Sequence, residues 1–500
     1  MFDMKRVTLF LAALLFSRVA FTQKVSTVFF DLNYDTTESI APVHVESGRM
    51  MKISDKPFPT RDGYRFGGWY TEPSCLPAQE WRFGSNSSFF VPATDSMKVE
   101  KSMILYAKWV SPKPVRTIED LDAIREDLYG WYVLENDLDL SGIASWIPIG
   151  EYESNYEFAP GEWWGRAFKG YFDGQGHTIR GLRISKLHTD KSGLFGAVAN
   201  GEITNLNMED SRLVFSAPRP YVAPLAGILK QDDNQTAAIR NCQVTGTLIQ
   251  VTTTNKESTF HSFTGLCGGA WGGHISQCKV SGKMILDIAG TGGGELYVGP
   301  YLGEAYNDTE NCTSDYVIDL RISETQPKDS FKAYIGGLQA AATNVKECLA
   351  TGIIRVSGKT EEGCLYIGGL VGSERYGTVS NCTSHVKMFV INSPFAQVGG
   401  IVGEFNSNYG TIGAAFGINT TKIVGCTYVG KPTFKNVEFH STFPLPRHSR
   451  CKHRRCSRLH ENVPNHVFGE IAGAGEPETL TTPWGLSMNY KIENCTYKKK

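Results

Sequence analysis

The sequence predicts an all-β chain: a small β-rich module, then a right-handed parallel β-helix (solenoid) entered through one short N-terminal capping helix. Three observations carry that expectation. Short runs with apolar residues alternating at period two fill residues 27–110. Helical spacing occurs once, just after residue 116. From Ile203 onward, an apolar residue, two polar ones and then Cys recur about every 35 residues.

Composition narrows the function classes. With 50 Lys+Arg against 51 Asp+Glu, the formal net charge is −1. A nucleic-acid-binding chain would need a basic excess to neutralise phosphates, so no nucleic-acid partner is expected. Hydrophobic residues at 41% and charged residues at 20% fit a folded chain. Glycine, at 52 of 500 residues, exceeds the roughly 7% average, which points to many turns or to a repeat.

The elements follow in order. Lys5 and Arg6 precede an apolar run from Val7 to Phe16, and the small residues Ala20 and Thr22 follow two apart. This is the pattern of a signal peptide over 1–22, cut before Gln23. The run is too short to span a bilayer, and no later run approaches the roughly 18 residues of a membrane helix. The expectation is a secreted or cell-surface chain with no transmembrane segment once processed.

Residues 25–110 form the small module. Its Trp69, Trp81 and Trp109 are too many large aromatics for so short a segment unless most of them are core. The order GYRFGGWYTEPSC at 63–75, then Trp81 and Phe83, then MILYAKW at 103–109 resembles the Listeria–Bacteroides repeat, the B-repeat of internalin-type surface proteins. The resemblance implies a β-grasp-like spacer or adhesion module without catalytic activity.

Ser111-Pro112-Lys113-Pro114 reads as a stiff linker over 111–116. Thr117 followed by Asp120 is a capping box, and Ile118, Leu121, Ile124 and Leu128 then fall at helical spacing. Residues 117–500 constitute the solenoid, with insertions at 151–164 and 432–466.

Aligning the chain on itself gives one glycine-rich half-motif, including GLFG at 193–196, GLCGG at 265–269, IGGLVG at 367–372 and VGGIVG at 398–403. The other half ends on Cys242, Cys278, Cys312, Cys348, Cys382, Cys426 and Cys495, with Leu206 at the same place in the opening coil. The steps from Leu206 are 36, 36, 34, 36, 34, 44 and 69 residues. An apolar residue stands three positions before most of these cysteines, and Asn stands directly before several. Two inward residues three apart cannot share one face of a straight strand. A bend must fall between them, and Asn tolerates the left-handed conformation a bend needs. Coils of this kind cannot close alone and must stack. Stacked cysteines would be about 4.8 Å apart, beyond the roughly 3.5–4.5 Å between Cβ atoms that a disulfide wants. The column is therefore expected to be a structural one, mostly of free buried thiols.

The GLxG halves resemble the GLUG motif of bacterial surface proteins. YVLENDLDL at 132–140, WIPIG at 146–150 and FKGYFDGQGHTIRGLRI at 168–184 resemble the segment that opens such β-helical regions. This resemblance implies a bacterial, adhesin-like protein, and residues 432–466 depart from its pattern.

Two insertions carry candidate binding residues. Tyr152, Tyr156, Trp163 and Trp164 stand among Glu151, Glu153, Glu157 and Glu162. Aromatic faces beside acceptors suit glycan binding, and the alternative is a loop folding its rings against the cap. Arg447, Arg450, Lys452, Arg454, Arg455 and Arg458 alternate with His448, Cys451, His453, Cys456 and His460. That run reads as a solvated excursion, a patch for anionic polymers, or a metal site. Asp232-Asp233 reads as a turn, and His177 as a structural feature of the opening coil. His460, Glu461 and His466 have the wrong spacing for a zinc-protease helix, and Pro464 interrupts them. No catalytic residues, cofactor or metal are expected. The expected function is adhesin-like, non-enzymatic binding of host or matrix glycans or proteins. Its rivals are a β-helical polysaccharide lyase or glycoside hydrolase, and a purely structural stalk.

Overall fold

The computed structural model describes residues 24–435, except 52–54, 82, 84–97, 152–165, 187, 189, 217–220, 232–235, 255–259, 290–293, 324–331, 359–363, 375–376, 393–395, 406–419 and 431–432. Beyond them it describes 467–469, 479–481, 487–493 and 496–498. The chain divides into two units, Met1–Ser111 and Pro112–Lys500.

The first unit is built on a four-stranded mixed sheet ordered Val43–Glu46, Val25–Asp31, Met103–Val110, Arg65–Tyr70. The two central strands run parallel, with Val28 opposite Met103, and both outer strands are antiparallel to their neighbours. Alternation along Val25–Asp31 buries Val28 and Phe30 against Trp69, Trp81 and Leu105. Trp69 and Trp81 are core, and Phe30 meets the Trp69 ring edge-on at 4.7 Å. Trp109 is only partly buried, and its indole N–H donates to Leu32 O at 2.6 Å.

The second unit is a parallel β-solenoid. One sheet climbs from Pro112–Val115 through Trp131–Leu134, Tyr171–Asp173, Glu202–Thr204, Ala238–Arg240, Cys267–Ser276, Leu302–Glu310, Asn344–Lys346 and Thr378–Ser380 to Thr420–Val424 and Ser487–Glu493. A second passes through Thr178–Arg180, Gln243–Thr254, Thr313–Ser323 and Leu349–Gly358 to Thr496–Lys498. A third runs from Lys191–Ser192 through Glu295–Gly299 and Cys364–Gly368 to Val467–Gly469.

Pro112–Val115, read from the sequence as linker, is thus the opening strand, paired in parallel with Trp131–Leu134. Proline lacks an N–H, which an edge strand can spare because one side has no partner. The helix Ile118–Asp122 follows, with both hydrogen bonds of the Thr117–Asp120 capping box formed. It continues into a 3₁₀ turn at Ala123–Glu126. Leu121 and Ile124 are fully buried beneath the first coil.

Between the first and second sheets each coil bends one residue before the column position. There φ is 51–55° at Asn205, Asn241, Gln277, Asn311, Glu347 and Asn381, and 62° at Gly425. The bend turns Ile203, Ile239, Ile275, Val345, Val379 and Ile423 into the core together with the residue three later. Leu206, Cys242, Cys278, Cys312, Cys348, Cys382 and Cys426 stack in one buried column, and these six cysteines are free thiols. Cys495 lies outside the described residues. Each described thiol is hydrogen-bonded to the carbonyl two residues earlier, from 3.1 Å at Cys382 to 3.5 Å at Cys426. Each of these carbonyls also accepts the N–H of the bend residue one coil earlier, as Arg240 O does from Asn205 at 3.1 Å, so the thiol adds to a carbonyl already served, and Leu206 fills the same place without one.

The glycine half-motif serves a close approach. A Cβ at Gly372 would lie 2.6 Å from both Ala340 O and Ile335 N, so only glycine lets the strand of the adjoining coil press there. Tyr301 replaces the inward Leu found at Leu266, Leu338 and Leu370. Its hydroxyl lies 2.5 Å from Cys278 O and 2.8 Å from Thr313 O, and accepts from the Thr313 N–H at 3.0 Å.

Candidate functional site

The strand Leu302–Glu310 alternates cleanly: Ala305, Asn307 and Thr309 point inward and are buried, while Glu304, Tyr306, Asp308 and Glu310 face out. In the adjoining strand, Trp271 pairs with Tyr306 and His274 with Asp308, so two residues, Gly272 and Gly273, stand opposite Asn307 alone. The bulge lies at Gly272 and Gly273, with φ of 82° and 91°. Its effect is to keep both Trp271 and His274 on the outer face. On the other side Asp308 is level with Asn344, and Glu310 with Lys346.

The side chains on this strip are tied together. The Asn344 side-chain amide donates to Asp308 Oδ1 at 2.8 Å, and Asn344 Oδ1 accepts from the Thr378 N–H at 3.1 Å. His274 Nε2 lies 3.2 Å from Glu310 Oε1. These residues line an open recess of about 330 Å³ with Lys346 and Ser380. At the far end of the strand, Glu304 accepts from the Tyr221 hydroxyl at 3.0 Å. Lys191 lies 4.6 Å above the Tyr221 ring and 2.6 Å from Asp190. Burial pushes the Lys191 ammonium below the usual lysine range, and the neighbouring Asp190 opposes that. Tyr297, Tyr334 and Tyr366 form a buried ring stack on Ala340 and Ala341, with centroids 5.1 and 5.2 Å apart.

The residues singled out by sequence are placed differently. Tyr152, Tyr156, Trp163 and Trp164 lie outside the described residues; at the base of that insertion the Glu151 N–H donates to Arg166 O at 2.8 Å. Arg447, Arg450, Lys452, Arg454, Arg455 and Arg458 also lie outside them, as do Asp232, Asp233, His460, Glu461 and His466. His177 sits 3.3 Å from Asp137 Oδ1 in the opening coil. The outer strip around Asp308 went unnoticed in the sequence. The run EAYNDTE at 304–310 gives little local signal, because the inward Asn307 and Thr309 are as polar as the outward Asp308 and Glu310, and its partners come from coils 30 or more residues away.

No group of three or more His, Cys, Asp or Glu side chains among the described residues is placed to hold a metal ion. No helix among them is long and apolar enough to cross a membrane.

Fold and strip together define a repeat protein with a polar, partly aromatic outer face on a parallel solenoid. Residues 27–108 match the family model of the Listeria-Bacteroides repeat domain. Such domains occur in bacterial surface proteins, which is consistent with an extracytoplasmic location. Comparison with curated proteins finds no match.

Proposed function

We propose that this is an exported, non-enzymatic surface protein in which the repeat module acts as spacer and the GLUG-type solenoid binds a host or matrix ligand. The observation that carries the reading is the Listeria-Bacteroides repeat at 27–108 joined to a parallel solenoid. Stacked coils offer an extended face of side chains on a rigid frame, which suits binding. Export is tested by fusing residues 1–30 to a phosphatase that is active only outside the cytoplasm. The expected outcome is activity that disappears when Leu11 and Leu14 are both changed to Arg. Activity unaffected by that change would sink the export reading.

One observation favours the enzymatic alternative. Asp308 and Glu310 stand on one strand face, about 6.8 Å apart along it, a spacing near that of paired catalytic carboxylates. Against it, Asp308 is exposed and Glu310 is tied to His274, so neither has the dry surroundings that make a carboxyl a proton donor. Release of reducing ends from a polysaccharide panel, lost in Asp308→Asn, would establish the enzyme instead.

A further inference from the structure

We infer that the repeat module at 27–108 carries a binding site for an anionic polysaccharide, whose carboxylate or sulfate groups are taken by Lys56 and Arg61 beside the exposed rings of Phe58 and Tyr64. The inference goes beyond the part of spacer given to this module above, and it does not depend on export or on the solenoid.

Both cations are held by rings instead of by acids. The Arg61 guanidinium lies 3.9 Å from the Tyr64 ring centroid, 4.3 Å from that of Tyr34 and 5.9 Å from that of Trp109. The Lys56 ammonium lies 5.0 Å above Phe58 and 5.6 Å above Phe83. Among the described residues neither side chain makes an ion pair or a hydrogen bond, so the planar fork of Arg61 is positioned with its N–H donors unserved by protein. A fork already held in place takes a carboxylate or sulfate at little cost in side-chain freedom. Burial pushes the Lys56 ammonium below the usual lysine range, with Glu80 opposing that. An arriving oxyanion acts in the same sense as Glu80, because it favours the charged form. The two cations also belong to one run of rings: Phe58 meets Phe66 at 6.4 Å, Phe66 meets Trp109 at 5.9 Å, and Trp109 reaches Arg61. Phe66 and Trp109 pack partly buried on the core of the module, whereas Phe58 is 67% exposed and Tyr64 39%. Beside Tyr64, no described atom lies within 4 Å of where a Cβ on Gly63 would stand, so that end is open to a ligand. Open ring faces next to cations suit a sugar chain with acid groups on its rings. An acidic peptide such as polyglutamate offers no flat ring face to Phe58 and Tyr64. Nucleic acid binding rests on many phosphate contacts, and two cations are few for that.

The test is calorimetric titration of the full chain with oligomers of polygalacturonate, which carries carboxylates, and of dextran sulfate, which carries sulfates. Neutral dextran, polyglutamate and single-stranded DNA are titrated alongside. Every titration is repeated on a chain with Arg447, Arg450, Lys452, Arg454, Arg455 and Arg458 changed to Ser, so that the basic run cannot supply the signal. At least one acidic oligosaccharide should bind both chains; polygalacturonate alone would assign the carboxylate, dextran sulfate alone the sulfate. Arg61→Gln and Lys56→Gln should each weaken binding about tenfold, as loss of a charged hydrogen bond does. Arg61→Lys should weaken it too, although the charge is kept, because an ammonium cannot make the paired bonds of the fork. If Arg61→Gln lowers the unfolding midpoint, Arg61→Lys and Lys56→Gln decide. The inference is overturned if no acidic oligosaccharide binds, or if binding disappears when the basic run is changed to Ser. It is equally overturned if dextran, polyglutamate or DNA binds as tightly, or if binding survives the Arg61 and Lys56 changes. The phosphatase fusion reports on export independently, so either reading can fail without the other.

Discussion

At the scale of single residues, the bend and the thiol behind it account for most of the pattern visible in the sequence. Asn was legible as a bend residue because few other side chains tolerate positive φ. Gln277 and Glu347 adopt the same conformation at φ 55° without that tolerance, and no local signal in the sequence marks them as bends; only their phase does. Gln277→Gly should therefore raise stability by about 1 kcal/mol, read as a higher urea midpoint. An unchanged or lower midpoint would mean that the bend is not strained. The thiols yield a second prediction. Burial pushes Cys267, which lies outside the column, up to about 12, and the six described column thiols are themselves no more than 2% exposed. Native protein at pH 8 should leave the column unlabelled by iodoacetamide, and denatured protein should be labelled at every column position. Because the folded-state value of Cys267 is the higher one, its stabilising contribution is complete below 9.0 and is lost as pH rises toward about 12. Alkaline titration followed by circular dichroism should show unfolding in that window.

At the scale of elements, the cap and the Tyr301 coil are the places where one side chain holds a segment. The capping box was readable from Thr117 and Asp120 alone because its hydrogen bonds are local. Thr117→Ala should cost about 1 kcal/mol. The Arg116 amide, followed by burial in the opposing sense and by the Thr117 amide and hydroxyl, holds the Asp120 carboxyl below its ordinary 3.8. That part of the cap is present above 3.8 and weakens as pH falls through the lowered value. Tyr301 was not legible as a polar bridge, since its partners Cys278 and Thr313 belong to the coil before and to the far side of its own bend. Tyr301→Phe keeps the ring but removes the hydroxyl from Cys278 O and Thr313, although Cys278 O still accepts from the Thr313 N–H at 3.0 Å. It should cost about 1–2 kcal/mol by urea unfolding; a neutral effect would show that the carbonyls are served without it. The prolines at 112 and 114 sit where the two units divide, but Pro112–Val115 is a strand and not a linker, because its pairing with Trp131–Leu134 depends on a segment beyond the helix.

At the scale of the whole molecule, period decided what could be read. Column residues recur in phase, so cysteine spacing exposed the coils. The Asp308 strip does not recur: it is assembled from different residue types on neighbouring coils, and only the register brings them level. The same register has a kinetic side. From Ile203 to Ile239 and on to Ile275, each core residue pairs with its counterpart a coil away, never with one several coils distant. A chain threaded N-terminus first through a narrow pore could therefore lay down each coil as soon as it emerged, upon the one just completed. The Thr117 cap supplies the first surface, and the six buried thiols need no oxidant or partner exchange to settle. Folding of the solenoid can thus advance by a ratchet of single coils, each addition hindering backward slippage of the strand already placed.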